Sequence, residues 1–428
     1  MDTKKICLLE MLKRTRAQRK IYPNDTNIDQ FPDSILLEIF RRLPRYAVLP
    51  ATLVCRRWCV LINLSSLLDS FTLKVCPKKN EDLCLEYEYY LSRSERKYRK
   101  ADVVIYGQHS FLVAVIALRR LGQHLTELKL TLDQCNYPTY FQRHFERMKE
   151  LEMGLEEYEQ MLWEQEVDSY DRCLRPIATP KEEDVLKQPE PEETIQEYRR
   201  IEEVFLSFVY RHCCGLQKLI IKQIRSHWDV RTKVLLYEGV EMEHLVELEV
   251  CGTGFMILAD SPELKSLTVQ GVTTGVSFYY GLRHAFPKLK QLEIVNDYLF
   301  DDQCLWAISR RCTQLEELSL SFIHSTVSQQ AFRYIQRLKR LKKLSICLQG
   351  PYHHADFAFA DWPKLKIEKL FITTDELRVD SIREILLRNE NLVEFVVTTR
   401  RRIAYSTLHK LQQTRPTCEL TYRQQCSI

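Results

Sequence analysis

His212-Cys213-Cys214 is the first place in this sequence where thiol chemistry could be sought. A cysteine becomes a nucleophile when a neighbouring histidine takes its proton, and a pair of cysteines can hold zinc. Adjacent cysteines, however, lack the two-residue gap of a metal knuckle. His353 and His354, in "YHHADF", offer two imidazoles side by side, which do not make a metal site without further ligands. There is no Gly-x-Ser-x-Gly, no His-Glu-x-x-His and no glycine-rich phosphate loop. Only 11 glycines occur in 428 residues, which also weighs against loops that cradle nucleotides. The expectation is therefore a chain with no catalytic residue, no metal and no cofactor.

What surrounds Cys213 explains it better than chemistry does. It stands three residues before "LQKLII", one of a family of Leu-x-x-Leu-x-Leu segments. These start at Leu125, Leu216, Leu245, Leu264, Leu289, Leu315, Leu341, Ile367 and Leu392. From Leu264 onward the starts are 25, 26, 26, 26 and 25 residues apart. That period and signature mark leucine-rich repeats. In "RRCTQLEELSLSF" the spacing of three, then two, then two reads as a turn anchored by Leu315 feeding a short strand through Leu318 and Leu320. Leu305, Ile308 and Cys312 precede it at helical spacing. Phe332 and Ile335 precede Leu341, and Ile382, Ile385 and Leu386 precede Leu392, with Asp380 or Ser381 able to cap that helix. No single unit can bury its own face, so neighbours must stack. The predicted fold class is α/β: a solenoid with its parallel sheet concave and its helices convex. The places where many such repeats carry Asn hold Asp297, Ile323, Gln349 and Asp375. The cysteine three residues before the first Leu, at Cys312 and Cys213, resembles the cysteine-containing subclass of these repeats.

The longest apolar run, Phe111–Leu118, is too short to span a bilayer. No membrane association or export signal is expected. Fifteen cysteines without paired spacing read as reduced thiols, which points to the cytoplasm, the nucleus or both. The net charge of +4 hides an uneven distribution. Residues 151–200 carry 15 Asp/Glu against 6 Lys/Arg, a balance of −9, which leaves +13 for the rest. Residues 1–20 hold 7 Lys/Arg and 2 acids, and read as a solvated basic tail rather than a nucleic-acid contact. Between the starts Leu125 and Leu216 lies an interruption. Phe141, Phe145, Met148, Leu151, Leu155, Tyr158 and Leu162 predict an amphipathic helix, followed by a proline-rich acidic linker over 174–194.

Residues 28–70 break from the repeats. Three short helices are predicted, over Pro32–Leu43, Val48–Val54 and Arg56–Ile62. So small a module cannot bury all of its large apolar side chains, so a share of them should face a partner. The stretch resembles an F-box. The residues that carry the resemblance are Phe31-Pro32, Ile35, Leu36, Ile39, Phe40, Leu43-Pro44 and the closing "LVCRRW", Leu53–Trp58. Ala47 and Pro50 depart from the pattern, and Pro50 is compatible with the first turn of a short second helix.

An F-box followed by leucine-rich repeats is the layout of substrate receptors in SCF-type cullin–RING ubiquitin ligases. The resemblance implies that Phe31, Pro32, Ile35, Leu36, Ile39, Phe40, Leu43, Pro44, Val54, Cys55 and Trp58 hold the adaptor, and through it cullin and RING subunits. The repeats would bind a protein substrate, with no nucleic acid. Lys343, Ser345, Lys369, Phe371, Glu394 and Val396 are the strand residues expected to face it. The alternative is a non-catalytic scaffold that joins no ligase. The expected layout is a basic tail at 1–27, the F-box at 28–70, first repeats at 71–132, the acidic insertion at 133–200 and further repeats at 201–428.

Overall fold

The structure is a computed structural model. It describes residues 28, 31–64, 66–75, 96–105, 108–133, 208–224, 234–252, 256–271, 276–297, 299–322, 327–348, 362–375 and 377–424. The basic tail, the predicted insertion helix and acidic linker, and the pair His353–His354 lie outside them. The chain divides into two compact units, one up to Phe71 with Glu95–Lys97, the other from Thr72 onward.

The first unit contains α1 (Asp33–Arg42), α2 (Arg45–Ala51) and α3 (Arg56–Leu64), then a 3-10 turn over Ser66–Ser70. Pro32 and Pro44 open α1 and α2, where a missing N–H costs nothing. Pro50 sits at the end of α2 rather than in its first turn, a correction to the sequence reading. Beyond it the chain tightens: the Thr52, Leu53 and Val54 N–H groups each reach back three residues. Leu36, Phe40, Val48, Ala51, Ile62, Leu67 and Leu68 form the core. Arg57 of α3 clamps the start of α1, with its Nη2 on Asp33 Oδ1 (2.5 Å) and on the Phe31 carbonyl (2.7 Å). Arg96 ties the other end, with its Nε donating to Asn63 Oδ1 at 3.0 Å.

The second unit is a parallel sheet of 12 strands. In sheet order they are β1 (Thr72–Val75), β2 (Lys100–Ile105), β3 (Glu127–Asp133), β4 (Lys218–Ile224), β6 (Glu247–Cys251), β8 (Ser266–Gln270), β9 (Gln291–Val295), β10 (Glu317–Phe322), β11 (Lys343–Leu348), β12 (Lys369–Thr374), β13 (Glu394–Thr399) and β14 (Glu419–Gln424). Apart from β5 (Val234–Glu241) and β7 (Met256–Asp260), which pair with each other, the strands join the sheet in chain order, as a repeat solenoid requires. The connections carry α4 (Gln108–Leu121), α5 (Val276–Ala285), α6 (Asp302–Arg311), a 3-10 helix over Gln329–Arg337, α7 (Val379–Arg388) and α8 (Tyr405–Thr414).

The odd spacing of the repeat has a backbone cause. Each first Leu donates its N–H to the carbonyl three residues earlier: Leu125 to Gly122, Leu216 to Cys213, Leu289 to Phe286, Leu315 to Cys312, Leu392 to Asn389. That tight turn ends the outer segment and starts the strand. All nine first positions, and the second and third positions after them, are buried, and the same register runs through Leu292, Leu318 and Leu344. Cys213 and Cys312 thus occupy the turn position. Gly122 fills it in the neighbouring repeat, because a Cβ there would lie 2.6 Å from the His212 carbonyl oxygen and 2.8 Å from Cys213 Sγ.

Three findings differ from the sequence expectations. The element before Leu341 is a 3-10 helix, not an α-helix, although Phe332 and Ile335 do point inward. α7 begins at Val379, with Arg378 in the cap position, so neither Asp380 nor Ser381 caps it. Finally, among the described residues the connection β6–β8 carries β7 instead of a helix, and β7 pairs with β5 of the preceding connection. Leu245 and Leu264 are only 19 residues apart, which leaves too little chain for a helical crossover once the strands and turns are subtracted. Past the strands, the left-handed conformation recurs at Gly252, Gly271 and Asn296. Gly252 also lies so close to the Gln223 carbonyl that any side chain would meet it at 2.5 Å.

Candidate protein-binding surfaces

The Cys213 thiol is buried, and burial, with Cys214 adding to it, pushes its pKa up to about 12. Burial does the same at Cys312. A thiol held that high is not a thiolate at neutral pH, so neither cysteine is a ready nucleophile. Among the described residues no group of three or more His, Cys, Asp or Glu is placed to hold a metal. No described helix is long and apolar enough to cross a membrane. Two surfaces of the described part expose side chains that another protein could contact.

The first lies on the helical module. Of the residues expected to face an adaptor, Leu36 (0% exposed) and Phe40 (1%) are in the core, which is a correction: packing leaves them no surface to offer. Trp58 is half-buried with its ring edge-to-face on Phe40, centroids 5.0 Å apart. Phe31 and Leu43 are half-buried and pack on the same core, and Ile39 is half-buried too. Cys55 is half-buried, its Sγ accepting the Trp58 N–H at the start of α3, 3.5 Å away. Ile35 (47% exposed), Val54 (49%), Pro32 and Pro44 are open to solvent. The sequence expectation omits Leu53, which at 80% is the most exposed large aliphatic residue of the chain's described part. It belongs to the quoted "LVCRRW", but only the 3-10 tightening after Pro50 turns it outward.

The second surface is the sheet face away from the helices. Its first row runs along the strand starts and opposes a lysine to a glutamate at several steps. Lys100 pairs with Glu127 (2.5 Å), Lys218 with Glu247 (2.6 Å), Lys343 with Glu317 (3.1 Å) and Lys369 with Glu394 (2.9 Å). These are directly opposed cross-strand partners, each contributing about 0.2–1 kcal/mol. Further along, β8 to β14 line a hollow of about 470 Å³. A flat sheet would enclose no such volume. Lys343, Ser345, Phe371 and Val396 line it; Lys369 and Glu394 are not among its lining residues. Val396, at 6% exposure, forms part of its floor. Lys343 Nζ stands 5.9 Å from the Phe371 ring centroid, so the lysine is shared between Glu317 and an aromatic face. Arg423, at the far end, was missed because β14 lacks the leucine signature.

On the row before the strands, Glu316 is bridged by Lys290 and Lys342, each 2.9 Å away. Hydrogen bonds from Lys290 and Lys342 hold its carboxyl down at about 2 instead of 4.5. A depressed carboxyl stabilises the fold above its ordinary pKa and stops doing so as pH falls toward the folded value. Urea midpoints should therefore drop between about pH 4.5 and about pH 2, and Glu316→Gln should flatten part of that slope. An identical acid profile in the variant would remove Glu316 from the account.

Comparison with known proteins adds the following. None of the curated proteins matches this chain. Among solved structures it is similar to "Crystal structure of Rad7 and Elc1 complex in yeast", at 12% identity and a TM-score of 0.26, over 98% of this chain and 79% of that one. The family model described as F-box-like matches residues 28–73, ending inside β1, so the three-helix module is an F-box-like domain.

Proposed function

We propose that this chain is the substrate-receptor subunit of an SCF-type cullin–RING ubiquitin ligase. In that reading the F-box-like domain holds the adaptor and, through it, the cullin and RING subunits. The leucine-rich-repeat solenoid holds a protein substrate on its sheet face. The chain does no covalent chemistry itself; it raises the local concentration of a substrate lysine near the charged conjugating enzyme. It acts in the cytoplasm, the nucleus or both. The observation that carries the reading is the set of exposed apolar side chains Ile35, Leu53 and Val54 on a domain matched by the F-box-like model.

The test is co-purification of adaptor and cullin with the full chain, compared with the triple variant Ile35→Asp, Leu53→Asp, Val54→Asp. The variant should keep its thermal midpoint and lose both partners, since charges in a desolvated interface cost several kcal/mol. Recovery of the adaptor with the variant would sink this face. Absence of adaptor from the wild type would favour the scaffold that joins no ligase.

A further inference from the structure

The hollow over β8–β14 contains four charged residues, and two of them neutralise each other: Lys343 and Glu317. Glu293, on β9 beside the β8 end, accepts from Thr268 Oγ1 at 3.3 Å and forms no salt bridge among the described residues. Arg423, at the β14 end, is exposed and likewise forms none. Between them lie hydroxyls, Ser319, Ser345, Thr373 and Thr398, and the apolar pair Phe371 and Val396, which face each other across β12 and β13. The hollow is thus a dipole: acid at one end, base at the other, an apolar step nearer the base.

We propose that this hollow takes an extended peptide segment of opposite polarity, crossing the strands with a basic residue at Glu293 and an acidic residue at Arg423. An apolar side chain of the segment rests against Phe371. This rests on the receptor reading and deepens it by naming the chemistry of the segment. The length follows from sheet geometry. β9 and β14 are five strand steps apart in the sheet order, about 24 Å at about 4.8 Å per step. An extended chain at about 3.4 Å per residue covers that in about eight residues. Phe371 is three steps from β9, about 14 Å, which sets the apolar side chain at about the fifth residue of the segment. The charge row does little for this selectivity, because its four lysines are each paired with a glutamate. Only groups without a counter-ion reward a charged ligand, and reversing the ligand sets like against like.

The experiment uses two fluorescein-labelled eight-residue peptides and the full-length chain, read by fluorescence anisotropy. One has lysine first, leucine fifth, glutamate last and serine or threonine elsewhere; the other exchanges the two charges. The first should bind at least about tenfold more tightly, a difference of about 1.4 kcal/mol. The double variant Glu293→Lys, Arg423→Glu should invert the preference, and added salt should shrink it because both groups are solvent-exposed. Phe371→Ala should weaken both peptides alike. Equal binding of the two peptides, binding of neither, or a preference that survives the double variant would overturn the proposal. Adaptor co-purification is followed in the same samples. Its absence with an intact peptide preference would refute the ligase reading and leave the groove standing.

Discussion

Phe40→Ala should destabilise the F-box-like domain by about 3–5 kcal/mol, the usual cost of deleting a buried Phe. Phe40 is almost wholly enclosed, and it carries the ring on which Trp58 rests edge-on. Losing it leaves a void beside Trp58 in the core of the domain. A unit of this size has little stability in reserve, so such a loss uses most of it. Amide exchange over Asp33–Leu64 should therefore accelerate sharply while the strands from β2 onward keep their protection. Adaptor capture should disappear with the fold, whereas Leu53→Asp should abolish capture with exchange unchanged. Slow exchange in the Phe40 variant would show that the core does not depend on this ring.

The second large effect is expected at Asn389. This side chain is fully buried in the turn after α7, its Oδ1 accepting the Leu365 N–H at 2.8 Å and its Nδ2 donating to the Ile385 carbonyl at 2.7 Å. It joins the turn of one repeat to the segment leading into the strand of the repeat before. Asn389→Ala strands a buried donor and removes a bond from a helix-end carbonyl, at a cost of about 2–4 kcal/mol. Asn389→Asp keeps the acceptor, loses the donor and buries a charge. Burial raises the carboxyl's pKa, so this variant should gain stability relative to the wild type as pH falls and the acid regains a proton to donate. Thermal midpoints of both variants across pH decide it. If the alanine variant melts with the wild type, the two bonds are dispensable.

The nine strands with Leu-x-x-Leu-x-Leu were legible because three inward apolar positions at fixed spacing leave a period that chance does not hold. The strands that escaped have the same physics in other residues. β2 uses Tyr98, Ala101 and Val103 at the inward places, apolar and buried but not leucine. β14 uses Cys418, Leu420 and Tyr422, one residue short in the turn, so the first gap reads two rather than three. β7 could be found only by asking what fits between leucines 19 residues apart. At the candidate sites, local pattern ran out sooner. Ile35, Leu36, Ile39 and Phe40 form one wide stripe in sequence, and nothing local says that Leu36 and Phe40 turn toward α3 while Ile35 turns away. That choice is made by helices packed from elsewhere in the chain. Likewise Val396 and Phe371 occupy equivalent positions in adjacent strands, but neighbouring side chains cover the valine almost completely.

The alternating row Lys100, Glu127, Lys218, Glu247 constrains how this protein can change its length. Removing β3 or β4 alone with its repeat would set lysine beside lysine or glutamate beside glutamate on opposed strands, an arrangement that destabilises a sheet. Removing two would restore the match. Between β11 and β12 the rule lapses: Lys343 and Lys369 are already neighbours, each drawn outward to its own glutamate. Deleting either repeat would leave Glu317 and Glu394 with one lysine between them. Loss of repeats is thus a two-unit step between β2 and β6 and a one-unit step at the β11–β12 seam, while Glu394 and Glu419 make a second like-charged seam between β13 and β14.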